Sequence, residues 1–256
     1  MSNLISGYGV WGVAGFTVGL LYLLAVSGKI HRNRENVAYL YVWASVACIL
    51  GAKILYICVI ILSGSFEGYG LQPLGIMIIE YLRGGFVYYG GAFGALLGLL
   101  LACKYFSLNA PRYIDLIITA LPLAHSISRI GCYRVGCCYG KETDSIIHVI
   151  YESSLFAPNG VTLVPVQLIE AAFEFTFWLV LLAITIRKSG ELPPFSLSKL
   201  YFGMYATMRF LIEFYRGDAA RGFVGILSTS QIISLMVILF LAVNRVVRKR
   251  SMRLDF

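Results

Sequence analysis

The sequence predicts an all-α membrane protein, a polytopic bundle of seven transmembrane helices, and three observations carry that prediction. Of its 256 residues, 59% are hydrophobic and only 13% are charged, whereas a soluble domain carries about a quarter charged residues and under half apolar ones. The mean hydropathy is +0.78. The apolar residues come in long runs separated by short polar gaps, as bilayer-crossing segments do. A soluble globular enzyme is thereby excluded, and so is a disordered chain, which cannot leave so much apolar surface solvated. No internal repeat or low-complexity tract breaks the pattern, so residues 1–256 read as a single helical domain.

A spanning helix needs about 20 mainly apolar residues to cross roughly 30 Å of hydrocarbon. Seven stretches qualify, at about 7–27, 38–62, 86–103, 113–131, 167–186, 198–215 and 226–246. The third and fourth are short, and the fourth and sixth carry polar or charged residues. No basic n-region precedes the first stretch and no small-residue cleavage site follows it, so no removable signal peptide is expected.

Basic residues give the orientation. Thirteen of the 21 Lys and Arg lie in one set of connections (Lys29 to Arg34, Lys104 and Arg112, Arg187 to Lys199) and in the tail from Arg245 to Arg253. They mark the cytoplasmic side, which puts the N-terminus outside and the C-terminus inside. The longest outward connections are about 63–85 and 132–166, and the second is long enough for a small head region. Its run Ile146–Tyr151 has strand character, and a short hairpin is expected there.

The remaining eight basic residues are Lys53, Arg83, Arg129, Arg134, Lys141, Arg209, Arg216 and Arg221. An arginine at membrane depth costs roughly 2.5–3.5 kcal/mol on insertion scales and is rarely idle. Helical spacing groups these charges with other polar residues. Tyr205, Arg209, Glu213 and Arg216 form one stripe, His125, Arg129 and Cys132 a second, and Gln167, Glu170 and Glu174 a third. Three polar stripes on apolar helices avoid lipid by facing each other or a watery cavity. That arrangement is either a buried ion-pair network bracing the bundle or a pocket for an anion, because guanidinium forks match phosphate oxygens. In an outward-facing membrane cavity the obvious anion is a phospholipid headgroup, and nucleic acid is not an expected partner.

Three further features carry two readings each. Gly90 and Gly91 open the third stretch, where paired glycines either let backbone amides approach a ligand or permit close helix packing. Lys53 either contacts substrate or only snorkels. Three of the six cysteines, Cys132, Cys137 and Cys138, fall at an outward membrane boundary. They are structural thiols or a disulfide, part of a substrate pocket, or a redox or metal centre. Their C-x4-C-C spacing matches no usual tetrahedral site, so no metal and no cofactor is expected.

The run Ser128-Arg129-Ile130-Gly131-Cys132-Tyr133-Arg134-Val135-Gly136-Cys137-Cys138-Tyr139-Gly140 resembles the signature of prolipoprotein diacylglyceryl transferases, G-R-x-x-N-F-x-N-x-E-x-x-G. Further segments agree in order. Tyr8-Gly9 is similar to the family's Tyr-Gly, Gly51-Ala52-Lys53 to its Gly-Ala-Arg, and Gly90-Gly91 to its His-Gly-Gly. Pro165-Val166-Gln167-Leu168-Ile169-Glu170 resembles its Pro-x-Gln-Leu-Tyr-Glu, and Tyr205 through Arg216 its Tyr-x-x-x-Arg-Phe-x-x-Glu-Phe-x-Arg. Gln231 fits a late Ser-x-x-Gln.

The resemblance implies a multi-pass enzyme of the bacterial inner membrane, acting as a monomer. Its partners would be phosphatidylglycerol, other membrane lipid and preprolipoprotein signal peptides, and it would move a diacylglyceryl group onto the lipobox cysteine thiol. Arg129 and Arg209 would hold the headgroup phosphate, and Glu213 would orient an arginine or gate the cavity. Tyr8 and Tyr205 would line the cavity, and Gly140 would keep the signature loop tight. Gln167, Glu170 and Arg216 fall within matching segments and are expected at the substrate.

The departures are local. Tyr89 stands where the family has its histidine, Cys132 replaces the signature asparagine and Cys137 the signature glutamate. Val164 and Ile169 replace a histidine and a tyrosine. The thiol base then falls to Tyr89 or to His125, one turn before Arg129. Two other functions stay open: a catalytically altered paralogue that binds or transports phospholipid, and a membrane thiol-redox protein built on the three cysteines.

Overall fold

The computed structural model describes residues 2–62, 88–188, 191–218 and 222–254. Arg83, Arg221, the whole connection expected at 63–85 and the first two residues of the stretch expected at 86–103 lie outside the described residues, as do the side chains of Tyr8 and Tyr89. The elements run α1 (Ser2–Lys29), α2 (Arg34–Leu62), α3 (Tyr88–Tyr105), α4 (Ala110–Ile118) and α5 (Leu121–Val135). They continue with β1 (Val149–Ile150), β2 (Thr162–Leu163), α6 (Val166–Lys188) and α7 (Ser196–Ile212). A single 3₁₀ turn at Glu213–Tyr215, β3 (Phe223–Val224), β4 (Leu227–Ser228) and α8 (Thr229–Leu254) complete the chain.

The protein is mostly helical. Five described segments are long and apolar enough to cross a membrane: Gly9–Lys29, Arg34–Ile61, Ala110–Val135, Val166–Lys188 and Thr229–Val247. Gly90–Tyr105 is apolar but shorter. Large apolar side chains point outward along these helices, among them Trp43, Ile49 and Ile54 on α2 and Leu239 and Phe240 on α8. Such faces suit lipid as solvent, as expected of a helical membrane protein.

Two expected helices differ in detail. The stretch at 113–131 is not one helix but two, α4 and α5, separated at Thr119 and Ala120. Pro122 sits in the first turn of α5, where its missing N–H costs nothing, whereas a continuous helix would need that donor. The Thr119 hydroxyl stabilises the break, donating to the Leu116 carbonyl at 2.6 Å and accepting from the Tyr22 hydroxyl at 3.0 Å. The stretch at 198–215 ends as an α-helix at Ile212 and tightens into the 3₁₀ turn. Arg216 therefore has extended backbone and leaves the helical stripe on which its spacing had placed it.

The chain forms two compact units, residues 31–114 and residues 1–30 with 115–256. In the first, α2 packs on α3 through a seam of small residues. Gly90, Gly94 and Gly98 recur every four residues on α3, where a Cβ would strike the Gly51 carbonyl, the Ala47 carbonyl and the Ala47 side chain in turn. Close backbone approach of this kind replaces the hydrophobic drive that is absent between helices in lipid.

In the second unit α1 lies against α5, α5 against α6, α6 against α7 and α7 against α8. Its core includes the cluster Leu181, Leu197 and Tyr201 and the cluster Val166, Met208 and Ile212. The first turn of α7 is held from another helix, because Asp115 of α4 accepts from the Ser198 amide at 2.9 Å and the Ser198 hydroxyl at 2.6 Å. The head region between α5 and α6 contains the expected short hairpin. Only Val149 and Ile150 of the run 146–151 are strand, paired antiparallel with Leu163 and Thr162.

Candidate active site

The polar stripes of α5, α6 and α7 meet inside the second unit. Glu170, 3% exposed, accepts from Arg129 Nη2 at 3.0 Å, and Arg209 Nη1 lies 3.6 Å from the same oxygen. Arg209 also pairs with Glu213 one turn on, Nη2 to Oε2 at 2.9 Å, and donates to the Ser230 hydroxyl of α8 at 3.4 Å. Two guanidiniums from different helices thus converge on one carboxylate. Desolvation makes an isolated buried charge costly, and this arrangement pairs each one. Arg129 Nε, also buried, has no hydrogen-bond partner among the described residues.

One turn away, His125 Nδ1 contacts Glu174 Oε1 at 2.8 Å, and the Tyr201 hydroxyl donates to Glu174 Oε2 at 3.3 Å. The Tyr205 ring stands 5.8 Å from the His125 ring and 6.0 Å from that of Tyr201. His125 is therefore oriented by a carboxylate, an arrangement that fixes its ring in place.

The signature loop adjoins this network. Gly136 ends α5 in the left-handed conformation, φ 82°, and its N–H returns to the Cys132 carbonyl at 2.9 Å. That turn folds Cys137 and Cys138 back toward Cys132. Cys138 is itself left-handed at φ 54°, a conformation uncommon for a residue with a Cβ. Gln167, fully buried on α6, donates from Nε2 to the Cys137 carbonyl at 2.8 Å and to the Tyr151 hydroxyl at 3.3 Å. Gly140 bridges to Arg216, the Lys141 amide donates to the Tyr215 carbonyl at 2.8 Å, and the Gly217 amide to the Tyr139 carbonyl at 3.0 Å. A Cβ at Gly140 would collide with the Val164 carbonyl.

All six cysteines are unbridged. Arg129 Nη1 donates toward Cys132 Sγ at 3.8 Å. Hydrogen bonding from Cys132 and Cys137 holds the Cys138 thiol well below the ordinary cysteine range, helped by the Arg129 and Arg216 guanidiniums against the effect of burial. Cys137, whose hydrogen is engaged by its two neighbours, is raised. Arg216 is fixed by Asp218, with Nε donating to Oδ1 at 2.8 Å.

The residues expected at the site therefore divide. Arg129, Arg209, Glu213, Glu170, His125 and Tyr205 come together, and Cys132, Cys137, Gly140, Gln167 and Arg216 form the loop beside them. Gly90, Gly91 and Lys53 belong to the other unit. There Gly90 packs on Gly51, Gly91 lies near Cys48 and Ala52, and the Lys53 ammonium stands 5.3 Å from the Tyr56 ring centroid.

Sequence spacing did not single out Tyr201, Ser230 or Asp218. Tyr201 is legible in retrospect, one turn before Tyr205 on the same stripe, whereas Ser230 and Asp218 reach their arginines through turns with no periodicity. An apolar groove of about 1240 Å³ was also unforeseen. It is lined by Phe173 and Phe177 of α6 and by Gly203, Met204 and Thr207 of α7, and it extends from Thr143 in the head region to Lys199.

Residues 2–247 match the family described as prolipoprotein diacylglyceryl transferase. Among similar proteins, a phosphatidylglycerol–prolipoprotein diacylglyceryl transferase of Clostridium tetani is 35% identical over 237 residues, 92% of this chain and 90% of that one. A second, from Clostridium perfringens, is 34% identical, covering 88% of this chain and 86% of its own. A Chlorobaculum tepidum protein of the same description is 31% identical over 91% of this chain and 82% of its own. With near full-length agreement and the arginine–glutamate network in place, the chain belongs to the prolipoprotein diacylglyceryl transferase family.

Proposed function

We propose that this protein transfers the diacylglyceryl group of phosphatidylglycerol to the lipobox cysteine thiol of preprolipoproteins, releasing glycerol phosphate. In this reading it is a single-domain, seven-span, monomeric enzyme of a bacterial cytoplasmic membrane, with its N-terminus outside and its C-terminus in the cytoplasm. The observation that carries the reading is the convergence of Arg129 and Arg209 on Glu170, with one Arg129 donor still unpartnered among the described residues.

The reaction breaks the bond between a glycerol carbon and a phosphate oxygen, and negative charge grows on the phosphate as it leaves. Fixed guanidiniums in a water-poor site stabilise that charge without reorganising at the moment of reaction. Both arginines are preorganised by carboxylates, Arg129 by Glu170 and Arg209 by Glu170 and Glu213. The apolar groove along α6 and α7 has the character an acyl chain requires. His125, held by Glu174 and one turn before Arg129, is the imidazole this reading uses for proton transfer.

Purified protein given headgroup-labelled phosphatidylglycerol and a lipobox peptide should release labelled glycerol phosphate and yield a diacylglyceryl thioether. Peptide with serine for the lipobox cysteine should yield neither. Lipid that is bound and recovered unchanged would replace the transferase reading with lipid binding alone.

A further inference from the structure

The sulfurs of Cys132, Cys137 and Cys138 all lie within 4.8 Å of one another, although the spacing of these residues matches no usual metal motif. The left-handed turn at Gly136 brings about the convergence, and Gln167 secures it by holding the Cys137 carbonyl. We propose that the three thiolates bind one zinc ion whose fourth position receives the acceptor thiol of the transfer reaction. The identity of that fourth ligand rests on the transferase reading; the three-sulfur site does not.

The geometry suits this ion. Zinc–thiolate bonds of about 2.3 Å place tetrahedral sulfurs about 3.8 Å apart, so the three thiols need to close by only about 1 Å at most from their present separation. Thiolate-rich sites favour zinc over hard cations, and sites with three protein ligands keep a position open for substrate. Charge also fits. Three thiolates around a dication leave a net negative charge, and a fourth thiolate increases it. Arg129 donates toward the Cys132 sulfur at 3.8 Å, and Arg216 is held against the same loop through Gly140. Guanidiniums so placed compensate the anionic centre, and Arg129 directs an N–H group at one of its sulfurs, as outer-shell donors do in metal sites.

The site would activate the acceptor thiol without calling on a general base. A thiol that coordinates zinc is deprotonated outright, so the acceptor sulfur gives its proton to water as it binds. Its lone pair then forms the S–C bond to the glycerol carbon, and the electrons of the broken C–O bond leave on the phosphate. Zinc changes oxidation state nowhere, and no oxidant or reductant is consumed. The product thioether is neutral and a poor zinc ligand, so the fourth position reopens.

The full chain, expressed with zinc and purified in detergent without chelator, should carry about one zinc per protein. C137S and the triple variant C132S/C137S/C138S should lower that content roughly tenfold or more. Wild-type protein stripped of zinc and given cobalt(II) tests the site with no variant at all. It should show sulfur-to-cobalt charge-transfer bands, which intensify and shift when a lipobox cysteine peptide is added but not when its serine counterpart is.

A zinc-free wild type without cobalt–thiolate bands overturns the site, as does copper(I) in place of zinc or a disulfide within the cluster. If transfer proceeds in such a protein, the transferase reading survives and the metal proposal fails. If zinc is bound but the cobalt spectrum ignores the cysteine peptide, the role of the fourth position fails. If zinc is bound and the peptide shifts the spectrum while phosphatidylglycerol is left intact, the transferase reading fails and the metal site stands.

Discussion

Arg129 of α5 and Glu170 of α6 are joined at 3.0 Å inside the apolar helical bundle, and Glu170 also lies 3.6 Å from Arg209 of α7. A single carboxylate thus fixes the relative positions of three helices. Replacing it by glutamine leaves two buried guanidiniums with one full counter-charge, that of Glu213. Removing one partner of a buried pair costs about 3–5 kcal/mol. Glu170→Gln is expected to lower the unfolding temperature in detergent accordingly, and its combination with Arg209→Gln to cost less than the sum of the two.

Arg129→Lys keeps the charge and loses the planar fork that can hold Glu170 and a phosphate at once. Its kcat for glycerol phosphate release should fall by about 10²-fold or more, with kcat/KM falling alongside because the lost contact forms as charge develops. An unchanged rate would remove Arg129 from the phosphate-binding role.

Asp115 holds the first turn of α7 from outside that helix, by two hydrogen bonds to Ser198. Asp115→Ala should cost about 1–2 kcal/mol, as loss of a side-chain cap does. Amide exchange at Ser198 should rise before the core of the helix is affected, which hydrogen-exchange mass spectrometry reads directly.

Along the seam of α3, positions differ in tolerance. A Cβ at Gly94 meets the backbone of Ala47 and Gly51, whereas one at Gly91 meets chiefly the Cys48 side chain at 3.1 Å. Gly94→Ala should destabilise by about 1–3 kcal/mol and Gly91→Ala by clearly less. Thermal unfolding of the two variants in the same detergent compares them.

Most of the site was legible because its residues obey helical spacing. His125 and Arg129, Glu170 and Glu174, and Tyr205 and Arg209 lie on stripes that have no alternative to burial in an apolar bundle. Spacing failed wherever a helix stops. The Pro122 break divides the expected fourth helix, and the 3₁₀ turn at Glu213 turns Arg216 away from its stripe and toward Asp218. The cysteine convergence was illegible for the same reason, since a left-handed turn has no period to detect. The groove depends on how α6 and α7 pack, which neither helix encodes alone.

The backbone bridges between the signature loop and the segment after α7 have a consequence in time. Lys141 and Tyr139 are clamped by Tyr215 and Gly217, residues synthesised long after the cysteines themselves. While the chain is emerging, the loop has its thiols but not its clamp, and Arg129 has neither Glu170 nor Arg209 near it. The complete site therefore depends on long-range contacts and forms only once α6, α7 and the segment after it have docked.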